Sequence, residues 1–100
     1  MRIISRSNLF EFGDKHTNCK QAIIEWCNVI KKSEWGTPAD FTNAFPKCVI
    51  LPNNRVIFHI KGNHYRLIVS VNYRAQRMYI KFIGTHAEYD KVDANTINQF

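Results

Sequence analysis

From Arg55 to Ile83 the chain alternates apolar and polar residues with a period of two, the pattern of strands that bury one face. Val56, Phe58 and Ile60 fall on one side of the first strand, and Arg55, Ile57, His59 and Lys61 on the other. Gly62-Asn63 suits a two-residue hairpin loop, which pairs Lys61 with His64. That register predicts Ile60 opposite Tyr65, Phe58 opposite Leu67 and Val56 opposite Val69 on the apolar side. His59 then meets Arg66, and Arg55 meets Ser70, on the polar side. A slip of one residue would bury Arg66. A four-residue loop at Tyr73 to Gln76 leads to the third strand, with Met78, Ile80 and Phe82 expected in the core and Tyr79 and Lys81 on the polar face.

The first half has a helical period. Ile3 and Ile4 suit a short strand, and Ser7 or Asn8 can cap a helix over Leu9 to Phe12 that Gly13 ends or bends. Asn18 with Gln21 resembles a capping box, and Ala22, Ile23, Trp26, Cys27 and Ile30 follow at helical spacing to Lys31-Lys32. Thr37-Pro38-Ala39-Asp40 opens a third short helix that Pro46 stops. Trp35 and Phe41 belong to the core. These elements predict a single α+β domain over residues 1–100, with helices packed on one face of a mainly antiparallel sheet.

Charge changes how the other face is read. The chain carries a net charge of +6, yet no Asp or Glu occurs from Phe41 to Ala87, where Lys47, Arg55, Lys61, Arg66, Arg74, Arg77 and Lys81 all lie. Solvated sheet faces usually mix both signs. A face of one sign, interleaved with His59, His64 and Tyr79, is suited to phosphate, and RNA is the first candidate. Lys31 and Lys32 sit at a helix C-terminus, where the dipole favours cations, so a solvated helix end is expected ahead of nucleic-acid contact. Cys19, Cys27 and Cys48 are odd in number and form no C-x-x-C pair, so they read as buried thiols. No apolar run approaches membrane-spanning length, and the chain is expected in the cytoplasm with no membrane partner.

Gly84-Thr85-His86-Ala87-Glu88-Tyr89-Asp90-Lys91 follows the last strand. Thr85 and Glu88 can cap a helical turn that pins His86 beside the basic face. A histidine held near Arg66 and Lys81 suits proton exchange near neutrality, although it can equally fill a corner of the fold. Near that face only Glu88, Asp90 and Asp93 could hold a divalent ion, so two-metal chemistry is not expected and no cofactor is implied. RNA cleavage without metal needs a base for the 2'-hydroxyl, cations for the pentavalent phosphate and an acid for the departing oxygen. Histidine, arginine, lysine and tyrosine can fill these roles.

Asn54-Arg55-Val56-Ile57-Phe58-His59-Ile60-Lys61-Gly62-Asn63, Tyr65-Arg66-Leu67 and the Gly84 to Lys91 segment together resemble the HigB toxins of the RelE superfamily. Ile3-Ile4-Ser5-Arg6 and Trp35-Gly36-Thr37-Pro38-Ala39-Asp40 extend the resemblance over nearly the whole chain. It implies a RelE-like fold and an mRNA interferase acting in the ribosomal A site. It also implies inhibition by a HigA-like helix-turn-helix antitoxin, through which operator DNA is bound. The family's phosphate-binding arginine falls on Arg66, its basic residue after the last strand's glycine on His86, and its C-terminal tyrosine, at a different spacing, on Tyr89. His59 and Lys61 stand where the founding toxin has two lysines, so His59 and His86 both remain candidates for the base. Arg55, Asn63, His64, Tyr79 and Lys81 are expected to position RNA. The competing readings are a non-catalytic RNA-binding module, and a basic face that receives an acidic protein.

Overall fold

A computed structural model describes residues 1–100. It contains β1 (Arg2–Ile4), α1 (Arg6–Lys15), a 3-10 turn (Thr17–Cys19), α2 (Lys20–Lys32), α3 (Pro38–Ala44), β2 (Val49–Leu51), β3 (Arg55–Ile60), β4 (Tyr65–Asn72), β5 (Arg77–Thr85) and α4 (His86–Tyr89). The strands form one sheet in the order β1-β5-β4-β3-β2, antiparallel except where β1 runs parallel to β5. The expected α+β architecture, with a mainly antiparallel sheet, is therefore present.

The β3–β4 register matches the one read from alternation, from Arg55 opposite Ser70 to Ile60 opposite Tyr65. Pairing ends there. Lys61 to His64 form a four-residue loop closed by a 3.3 Å bond from the His64 N–H to the Lys61 carbonyl. Lys61 and Gly62, rather than Gly62 and Asn63, take the left-handed conformation, with φ of 55° and 65°. This backbone leaves the oxygens of Asn63 to the Arg66 guanidinium.

Helices α1, α2 and α3 cover one sheet face. Leu9, Ile23, Trp26, Ile30 and Phe41 pack there against Val56, Phe58, Leu67, Val69, Met78 and Ile80. Trp35 stacks on Phe41 at 4.8 Å, and Phe58 meets Trp26, Phe41 and Phe45 edge-on. The apolar periodicity of the helices and the strand alternation thus describe the same core. Some helix starts differ from expectation. α1 begins at Arg6, because the chain reverses from β1 through a left-handed Ser5, and it runs on through Gly13. Asn18 does not cap α2; its side chain accepts a 2.6 Å bond from the Tyr65 hydroxyl instead. β2 was not expected from the sequence, since Val49-Ile50-Leu51 is too short to show a period.

The second sheet face is the main departure. A bulge in β5 leaves Ile68 opposite Phe82 and Val69 opposite Ile80, with Lys81 as the extra residue. Alternation is reset beyond it, so Ile83 enters the helix-side core and Phe82, expected there, turns to the opposite face. Phe82, Ile57 and Ile68 form a second small core, covered by Tyr89, Val92, Ala94 and Ile97. The carboxy-terminal segment is held there by polar bonds as well. Arg55 donates to the carbonyls of Ala94 and Ile97 at 3.1 and 2.8 Å, and the Gln99 N–H donates to the Lys81 carbonyl at 2.8 Å.

Candidate functional site

The hairpin end of the sheet, left uncovered by that segment, carries most of the candidate residues. Arg66 lies on β4 between His59 of β3 and Gly84 of β5, and the strand register alone puts these three side by side. Arg66 is 6% exposed, the one charged residue in the buried set. Its Nη1 donates to the carbonyls of Asn63 and Tyr65 at 3.0 and 3.4 Å, and its Nη2 donates to Asn63 Oδ1 at 2.6 Å. Its guanidinium stands 5.6 Å from the centroid of the Tyr89 ring. All these partners are neutral. Asp14 pairs with Lys20 and Asp90 faces the His86 ring, and neither contact involves Arg66. A buried cation without a counter-charge loses hydration that no protein carboxylate restores, so an anion gains by binding beside it. A phosphate fits the donors left over on its planar fork.

His59 is half-buried beside this cation. Burial, reinforced by the positive charge of Arg66, Lys47 and His86, pushes its pKa below that of an ordinary imidazole. It is therefore neutral at neutral pH, with a free lone pair. Lys47, in the loop before β2, carries no signal in the sequence beyond its membership of the acid-free stretch. It lines a cleft of about 310 Å³ together with Phe45, Pro46, Cys48, Phe58 and His59.

His86 is placed by a capping box. The Glu88 N–H donates to Thr85 Oγ1 at 3.2 Å and Glu88 Oε1 accepts from the Thr85 N–H at 2.9 Å, so that Thr85 caps α4 and the helix starts at His86. Those bonds to Thr85 hold the Glu88 carboxyl below the ordinary carboxylate range. The His86 N–H donates to the His64 carbonyl at 3.0 Å, tying α4 to the hairpin. Its ring Nδ1 faces Asp90 Oδ2 at 3.2 Å, an i,i+4 contact that leaves Nε2 for other partners. Gly84 permits this junction. A Cβ there would lie 2.6 Å from the Phe82 ring and 3.2 Å from Glu88 Oε1.

The structure thus brings together Arg66, His59, Asn63, His86 and Tyr89, with Lys61 and His64 exposed on the adjoining loop. Arg55, Tyr79 and Lys81 sit elsewhere. Arg55 serves the carboxy-terminal segment, while Lys81 Nζ lies 5.9 Å from the Tyr79 ring and 3.4 Å from Asn98 Oδ1, farther along β5. The cluster at the hairpin has the parts for acid–base chemistry on a phosphodiester: a neutral imidazole, an oriented second imidazole and a fixed guanidinium.

Comparison with known proteins gives the family. The HigB_toxin family, described as the RelE-like toxic component of a toxin-antitoxin system, matches residues 19–92. The chain belongs to the HigB toxin family. A mRNA interferase HigB from Escherichia coli O6:H1 (strain CFT073) is 33% identical, over 92% of this chain and 91% of that protein. The mRNA interferase toxin HigB of Escherichia coli strain K12 is 26% identical, over 90% and 88%. The matched span of this HigB-family toxin contains both Arg66 and the Gly84 to Lys91 segment.

Proposed function

We propose that this toxin is an mRNA endoribonuclease that cuts translated mRNA in the ribosomal A site without a catalytic metal ion. The observation that carries the reading is Arg66, buried, held by neutral oxygens and flanked by a histidine kept neutral. His59 takes the proton from a ribose 2'-hydroxyl, whose oxygen bonds to phosphorus. The bond from phosphorus to the 5'-oxygen breaks, and His86 gives that oxygen a proton. Arg66, with Lys61 on the loop above, stabilises the charge gathered on the phosphoryl oxygens. Asp90 orients the His86 ring, and Tyr89 supports the guanidinium from below. His64 lies on the rim of this cluster, within reach of the flanking RNA. The products are a 2',3'-cyclic phosphate and a 5'-hydroxyl.

In the cell this activity calls for an inhibitor, which we assign to a HigA-like helix-turn-helix antitoxin that also brings the toxin to operator DNA. The work of the toxin lies in the cytoplasm, and no helix is long and apolar enough to cross a membrane. Expression without antitoxin should arrest growth, with new mRNA 5' ends only on translated messages. Arrested cells with intact mRNA would refute nuclease activity and favour a non-catalytic RNA-binding module. Cyclic phosphate ends formed by prebuilt ribosome complexes after brief EDTA treatment test the metal-free step; restoration of cleavage by Mg2+ on intact ribosomes would overturn it.

A further inference from the structure

The outer edge of β3 is open where β2 stops. β2 begins at Val49, opposite Ile57, so no strand lies beside Phe58, His59 and Ile60 on that side. A strand inside an antiparallel sheet bonds through alternate residues to one neighbour and then the other. The Val71 N–H donates to the Asn54 carbonyl at 2.8 Å, in line with the β3–β4 register, so even-numbered residues of β3 bond to β4 and odd-numbered ones face β2. His59 is odd-numbered and lies beyond β2. Its backbone N–H and carbonyl are therefore turned outward, a donor and an acceptor with no strand beside them.

This edge borders the cleft of about 310 Å³ that His59 lines, a volume near the lower end for small-ligand pockets. Phe45, Pro46, Cys48 and Phe58 give it apolar walls. Phe45 is half-buried, and its ring meets Phe58 edge-on at 5.0 Å, which fixes its orientation. A 2.9 Å bond from the Cys48 N–H to the Phe45 carbonyl closes the turn that presents Lys47. Lys47 is exposed, contacts no carboxylate and lies close enough to help lower the His59 pKa. No acid lines this cleft, whereas the neighbouring one, which shares Phe45 and His59, holds Glu25. Single-stranded bases are recognised by such parts, an aromatic face for stacking and polar groups for the base edge.

We propose that this cleft reads the base of the nucleotide on the 5' side of the cut, and that Lys47 makes guanine the preferred base. The inference rests on the nuclease reading above, because His59 must hold the 2'-hydroxyl of that same nucleotide. Its base, on the same ribose, then falls at the cleft that His59 lines. Phe45 supplies the stacking surface. The Lys47 ammonium donates to O6 and N7, two acceptors that guanine presents side by side; adenine has an amino group in place of O6. A peptide strand fits less well. From Phe58 to Ile60 only His59 faces outward, so an added strand would find a single bonding residue.

The test is single-turnover cleavage on prebuilt ribosome complexes whose A-site codons differ only in the base 5' to the cut. Guanine should be cut about tenfold faster than adenine, and K47M should bring that ratio close to one. The ratio is the readout because loss of the Lys47 charge also lets the His59 pKa rise, which acts on every codon alike. 7-Deazaguanine, which lacks the N7 acceptor, should slow the wild-type chain and have no further effect on K47M. F45A should slow all codons about tenfold, and F45Y, which keeps the ring, should restore them. Equal rates for guanine and adenine, or a ratio that K47M leaves unchanged, would overturn the inference. So would a K47M chain that loses only antitoxin affinity, which would make the cleft a protein site. Binding to complexes with 2'-deoxyguanosine or 2'-deoxyadenosine at that position separates the two readings. A guanine preference in binding that K47M abolishes, with no cleavage of the ribose form, would remove the nuclease and leave the base pocket standing.

Discussion

At the scale of single residues, Arg66 and its neighbours separate charge from geometry. Arg66→Lys keeps the cation but loses the planar fork and its two bonds to Asn63, so cleavage should fall at least a hundredfold in single-turnover assays. Asn63→Ala removes one acceptor from the guanidinium and should lower kcat more than it raises KM; equal effects on both would argue against a positioning role. His59 bears on pH. As the pH drops below about 6.5, an unfolded imidazole takes up a proton before the folded His59 does, so stability should decline with acid in that window. His59→Gln should flatten this part of the stability profile. An NMR titration placing His59 at or above the ordinary imidazole value would contradict the base role. Sequence parity identified the Arg66–His59 pair because both lie on one hairpin with a single workable register. Lys47 escaped it because a loop has no period from which to infer direction.

At the scale of elements, the hairpin loop and the bulge each trade regularity for placement. Lys61 holds a left-handed backbone that costs a β-carbon-bearing residue ~1 kcal/mol or more. Lys61→Gly should therefore stabilise the fold by about that much in urea titration while weakening cleavage, a split that a purely structural loop would not produce. Gly84→Ala forces a methyl toward the Phe82 ring and the Glu88 cap, and a loss of about 1–3 kcal/mol is expected, with the α4 turn disturbed first. The capping box at Thr85 and Glu88 was legible because its chemistry is local. The bulge at Lys81 was not, because an extra residue in one strand is defined only by the strand beside it.

At the scale of the whole molecule, the sheet is covered on both faces, by helices on one and by the chain after α4 on the other. Phe82→Ala opens the second core and should cost about 3–5 kcal/mol, comparable to an aromatic lost from the helix side. Shifts in the Tyr89 resonances on the same substitution would show that the carboxy-terminal segment also supports the ring beneath Arg66. This arrangement explains why the basic residues divide. Those at the hairpin end remain free for a ligand, whereas Arg55 and Lys81, nearer the covered part of the sheet, bond to the segment itself.

The sequence by itself determined the α+β class, the hairpin register, the helix-side core and the motif that pins His86, all of which depend on periodicity or on contacts within a few residues. Tertiary structure alone decided that Phe82 changes faces and that residues beyond Tyr89 cover part of the apparently polar face. These depend on which strands and helices become neighbours. A residue's side is periodic along its own strand, but its partners are set by elements distant in the chain.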